Sequence, residues 1–117
     1  MEQTCQRLHF LHAAINAAFL ADGQEIGRYV VHYANGEQRD IPIVTGRDVV
    51  DWYKQSEGAC VVAWTGENPK SRKSGSKVRL FKSSWVNPLP EVAILTLDFL
   101  GTQSGGPAPF LVAITAE

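Results

Sequence analysis

The chain has no stretch approaching the ~18 consecutive apolar residues that a membrane-crossing helix needs. Its charges nearly cancel, 11 Lys and Arg against 12 Asp and Glu for a net −1, so no overall field selects a nucleic acid or a membrane surface. Two cysteines, Cys5 and Cys60, are too few for a disulfide scaffold, and the favoured expectation is two buried thiols. There is no Gly-x-Ser-x-Gly elbow, no phosphate-cradling glycine loop, no His-x-His pair and no His-Glu-x-x-His motif. The N-terminal MEQTCQRLHFLHAA lacks a basic region leading into an apolar core and a cleavage site. On that ground the chain is expected to be cytoplasmic or cut from a longer secreted or surface protein.

What remains is an ordinary globular composition, 44% hydrophobic and 20% charged over 117 residues, enough for a single domain spanning 1–117 with its own core. Short runs rich in β-formers alternate with Gly, Pro and Asn breaks. RLHFLHAAI reads as a first strand, and the Ala-rich Ala13 to Leu20 as two turns of helix. IGRYVVHY (26–33) and EQRDIPIV (37–44) flank Asn35-Gly36, a hairpin signal because a two-residue turn there requires φ > 0 at both positions. Alternation places Tyr29, Val31 and Tyr33 on one face and Arg28, Val30 and His32 on the other. Pro42 has no N–H to give a ladder, so its strand is an edge or turns that position outward.

TGRDVVDWY (45–53) reads as a loop or one helical turn, and ACVVAW (59–64) as a strand buried on both faces. Residues 65–76 read as an exposed loop. VRLFKSSW (78–85) alternates as a strand, EVAILTLDFL (91–100) turns Leu95, Leu97 and Phe99 to one face, and FLVAITAE (110–117) turns Phe110, Val112 and Ile114 inward. About seven strands with at most one short helix make an all-β fold, an antiparallel β-sandwich or barrel.

LHFLHA (8–13), IGRYVVHYANG (26–36), IPIVTGRDVVDWY (41–53), AWTGENP (63–69), SSWVNPLP (83–90) and APFLVAI (108–114) together resemble a bacterial galactose-binding-like, jelly-roll β-sandwich. The resemblance implies a domain appended to secreted or surface proteins that handle glycans. Such domains carry one or two strands ahead of the LHFLHA segment, where this chain has seven residues, so the sandwich is expected to lack its first strands. An open edge of that kind invites pairing, and a homodimer through Gln3–Ile15 is the expected closure.

The leading functional expectation is a non-catalytic carbohydrate-binding or interaction module, without cofactor. Sugar sites stack rings on aromatic faces and fix hydroxyls with polar neighbours. Of Trp52, Trp64 and Trp85, the first is the preferred ligand residue, with Tyr53, Asp51 and Asp48 beside it; Trp85 and Asn87 form a second group. The competing view is that these rings plug the core. His9, His12 and His32 are the only histidines, and a copper or zinc metalloenzyme acting on polysaccharide is the first alternative. Strand parity sends His9 and His12 to opposite faces, which argues against a shared ion and leaves no metal site expected. A basic segment holds Lys70, Arg72, Lys73, Lys77, Arg79 and Lys82; a solvated loop is the favoured reading over an acidic polysaccharide or nucleic-acid grip. A structural protein-interaction domain is the remaining alternative.

Overall fold

The computed structural model describes residues 3–15, 23–52, 60–75, 77–101 and 108–117. In chain order the elements are β1 (Arg7–Ile15), β2 (Glu25–Tyr33), β3 (Gln38–Val44), β4 (Val61–Gly66), α1 (Pro69–Ser74), β5 (Val78–Val86), β6 (Ile94–Gly101) and β7 (Ala108–Ala116). They form two antiparallel sheets, β4-β5-β1-β7 and β3-β2-β6, stacked as a β-sandwich.

The two central strands carry the core because each can bury a whole face. Leu8, Phe10 and His12 of β1 and Phe81 of β5 point inward from the four-stranded sheet, meeting Tyr29, Val31 and Tyr33 of β2 and Ile43 of β3. The Phe10 and Tyr29 rings stack at 4.1 Å between centroids. Gly27 is the point of closest approach: a Cβ there would lie 2.7 Å from both the Leu100 carbonyl and the Pro109 ring, so only glycine lets β7 close over β2.

Five local expectations are corrected. The Asn-Gly hairpin closes with three residues, Ala34 to Gly36, between the paired Tyr33 and Glu37; Gly36 adopts φ 89°, and Asn35 Oδ1 accepts from the Glu37 N–H at 3.0 Å. The 65–76 loop contains α1. Asn68 caps it, accepting from Ser71 N–H at 2.8 Å, Pro69 opens it, and Gly75 at φ 74° ends it. β4 is an edge strand, and Val61 to Thr65 are all exposed, because apolar composition alone does not distinguish a central strand from an edge. Register shifts reset the alternation of β6 and β7: Ile94 rather than Leu95 is fully buried, and Val112 is expelled to 53% exposure while Leu111 packs on the core. Ala13 to Ile15 continue β1 rather than opening a helix, and the rest of that expected helix lies outside the described residues.

β1 also corrects the expected open edge. It runs between β5 and β7, so both of its ladders are occupied. The preceding residues lace the sheets together: Gln3 exchanges N–H···O bonds with Ile94 of the other sheet, at 3.2 and 2.8 Å. The basis for a dimer through Gln3–Ile15 is thereby removed. Cys5 and Cys60 are both buried thiols outside any disulfide, and burial pushes the Cys5 thiol up.

Candidate binding cleft

β4 begins at Val61, which pairs with Lys82, so among the described residues β5 from Ser83 onward has a strand, β1, on one side only. A cleft opens at that free edge. Its deeper part is a cavity of about 190 Å³ reaching between the sheets, floored by Phe10, His12 and Tyr29 and walled by Trp85, Ser83, Ser84, Asp40, Arg47 and Asp48. Its outer part, about 490 Å³, is bounded by the same Arg47, Asp48, Ser83 and Ser84 together with Val61 and Lys82.

The Arg47–Asp48 wall is built by the tight turn after β3. Gly46 at φ 80° lets the chain reverse, and Asp48 Oδ2 accepts from the Val44 N–H at 2.9 Å. The same oxygen accepts from Arg47 Nη2 at 2.9 Å and Nε at 3.2 Å, and Nη2 also donates to the Pro42 carbonyl at 3.1 Å. The guanidinium is therefore held in place although its side chain is 58% exposed.

Beneath the wall runs a chain of side-chain hydrogen bonds. His12 Nδ1 lies 2.8 Å from the Tyr29 hydroxyl and Nε2 lies 2.9 Å from Ser83 Oγ. Burial lowers the His12 pKa to about 4, with the Asp48 charge opposing, so the ring is neutral at pH 7; burial, reinforced by Asp48, raises that of Tyr29. A serine against a neutral imidazole resembles the start of an acyl-transfer relay. Here the third member is a phenol kept protonated, which cannot neutralise an imidazolium as a carboxylate does, and the imidazole itself is a weak base. The chain's effect is to fix the Ser83 hydroxyl at the cavity wall.

The residues singled out from the sequence do not converge. Trp52 and Asp51 sit at the Ala14 end of β1: Asp51 is buried and bridges Ala14, and Trp52 packs edge-on against Phe110 at 5.3 Å. Trp85 is opposite Leu8, six residues along β1, or roughly 20 Å at ~3.3 Å per residue. Asn87 is buried and committed to structure, accepting from the Tyr33 hydroxyl at 2.5 Å and the Leu89 N–H at 3.0 Å and donating to the Cys5 carbonyl at 2.8 Å. Of the expected ligand group only Trp85 lines the cleft, and Tyr53 lies outside the described residues.

The histidines occupy three separate surroundings. His12 is interior; His9 lies 2.7 Å from both Ser84 Oγ and Glu117 Oε2; His32 lies 2.9 Å from Asp98 on the other sheet. Among the described residues no group of three or more His, Cys, Asp or Glu side chains is placed to hold a metal ion. The basic segment is divided as well: Arg72 and Lys77 both bind Glu67, Arg79 lies over the Phe81 ring at 6.0 Å, and Lys82 alone of the six reaches the cleft.

Sequence reading passed over Arg47, Ser83 and Ser84, and it ranked Trp64 behind Trp52. Trp64 is 48% exposed and its ring lies on Gly66, where a Cβ would collide with it. The Trp-x-Gly spacing, two residues along one strand face, was the available signal. Comparison with known proteins gives no match to a family model, to a curated protein or to a solved structure.

Proposed function

We propose that the chain is a non-catalytic binding module whose cleft at the free edge of β5 takes carbohydrate. The observation that carries this reading is the meeting, in one cavity, of Trp85 with a fixed Arg47–Asp48 pair and the Ser83 hydroxyl that His12 holds at 2.9 Å. An aromatic wall offers the apolar face of a pyranose a surface, and an anchored guanidinium, carboxylate and hydroxyl offer its hydroxyl groups donors and acceptors at little ordering cost. The low basicity of His12 and the phenol behind it favour binding over bond-breaking.

Isothermal titration of the whole chain with a panel of soluble oligosaccharides tests this, backed by sedimentation with insoluble polysaccharides. Binding that weakens at least tenfold in Arg47→Ala, whose side chain is 58% exposed, with the melting temperature read alongside, is the expected result. No binding across the panel overturns the reading.

A protein-interaction role is the second reading, supported by β4. Its exposed Val61, Val62, Ala63 and Trp64 form an edge without a single charge or proline, the devices that ordinarily discourage edge pairing. A homodimer, if formed, belongs here rather than at β1. Light scattering during gel filtration discriminates: a mass near the monomer's 12.8 kDa at all micromolar concentrations rejects it.

A further inference from the structure

Resting on the carbohydrate reading of the cleft, we infer that the cleft is the buried end of one continuous groove and that its occupant is an anionic oligosaccharide of several units. The groove is traced by shared walls. Arg47, Asp48, Ser83 and Ser84 border both the deep cavity and its outer part, and Lys82 borders both that outer part and a third hollow of about 260 Å³. The third hollow crosses the outer face of the four-stranded sheet, from Ala63 on β4 over Lys82, His9 and Leu11 to Ala113 and Thr115 on β7. Four strands span three inter-strand spacings, about 14 Å, longer than a single pyranose ring. The groove can round the edge of β5 because, among the described residues, β4 extends no further than Val61.

The charge of the occupant follows from which groups are already matched. Asp48 is paired with Arg47 at 2.9 Å and Asp40 with Arg28 at 3.6 Å. Glu117, facing His9, is held by His9 at 2.7 Å and Arg7 at 3.7 Å. The Lys82 side chain has neither an ion pair nor a hydrogen bond among the described residues, and it stands at the junction of the two outer segments. A lone ammonium in a concave wall raises the local concentration of anions and discriminates against neutral competitors. A carboxylate or a sulfate on a sugar in the middle of the chain meets this requirement. The apolar Leu11, Ala63 and Ala113 around it accommodate ring faces rather than a second charge.

The test is calorimetric titration of the whole chain with an oligouronate tetramer, a sulfated tetrasaccharide, a neutral tetrasaccharide, the corresponding monosaccharides and a short single-stranded oligonucleotide. The expected result is that at least one anionic tetramer binds ten or more times tighter than the neutral one and than its own monosaccharide, and that added salt shrinks this gap. Lys82→Gln, exposed and unlinked, is expected to keep its melting temperature and to bind anionic and neutral tetramers alike. Equal affinity for neutral and anionic tetramers, with no effect of Lys82→Gln, overturns the inference and leaves the carbohydrate reading standing. Tighter binding of the oligonucleotide than of any sugar overturns the inference, and so does a monosaccharide equalling its tetramer. Binding to none of the sugars overturns both.

Discussion

β2 and β4 are written in nearly the same alphabet, Tyr-Val-Val-His-Tyr against Val-Val-Ala-Trp-Thr, and they have opposite fates. In β2, Tyr29 and Val31 are wholly buried; in β4, Val61 is 61% exposed and Trp64 48%. β2 has a strand on each side and a sheet over its inner face, while β4 has one neighbour and ends early. The difference shows that apolar content marks a segment as a strand, and that its place in the sheet decides whether it becomes core or surface. It also explains where the cleft is: among the described residues the short edge strand does not pair with β5 where Ser83, Ser84 and Trp85 lie.

The contrast can be broken by truncation. Phe81→Ala, in the wholly buried partner of His12, is expected to lower stability by about 3–5 kcal/mol, as core aromatics do. Chemical denaturation measures it, and a loss under about 1 kcal/mol means that this interior is not packed as described. Asn87→Ala strands the Tyr33 hydroxyl, the Cys5 carbonyl and the Leu89 N–H at once and is expected to cost about 2–3 kcal/mol. A near-neutral result in a urea titration contradicts this buried network.

A pH series sharpens the same contrast without mutation. Above pH 6.5 His12 is neutral both folded and unfolded, and its shift has no effect. Between 6.5 and about 4 the unfolded chain takes up a proton that the buried ring refuses, so stability falls as pH falls. At pH 5 the loss relative to pH 7 is about 2 kcal/mol at ~1.36 kcal/mol per unit of pKa difference. Urea midpoints at the two pH values check this, and equal midpoints contradict a sealed imidazole. The smallest effect is expected on the edge: Trp64→Ala changes stability by about 1 kcal/mol or less. A melting point that drops as far as in Phe81→Ala contradicts the exposed placement of Trp64.

Local chemistry made a good part of the fold legible. The period-two pattern of β2 placed Tyr29, Val31 and Tyr33 on one face, which is the buried one, Pro42 limited β3 to an edge or an outward-turned position, and Gly-Pro punctuation counted the strands. The bulges that reset β6 and β7 left no such trace, because a bulge arises from a mismatch between two strands and neither sequence carries it alone. The cleft was illegible for a related reason. Trp85 was visible as an aromatic near a turn, but Arg47 and Ser83 are 36 residues apart and look like ordinary surface positions until β3 and β5 are brought to the same side of the sandwich.

By itself, then, the order of residues determined that this chain makes strands, roughly where they begin, and which side of β2 is apolar, since these depend on neighbours one to four residues apart. Only the tertiary structure decided that β1 is central and β4 peripheral, that His9, His12 and His32 lie apart, and that Lys82 lines two neighbouring hollows. Those facts depend on which strands pair, and pairing is settled by burying apolar area across the whole chain at once rather than by any one segment.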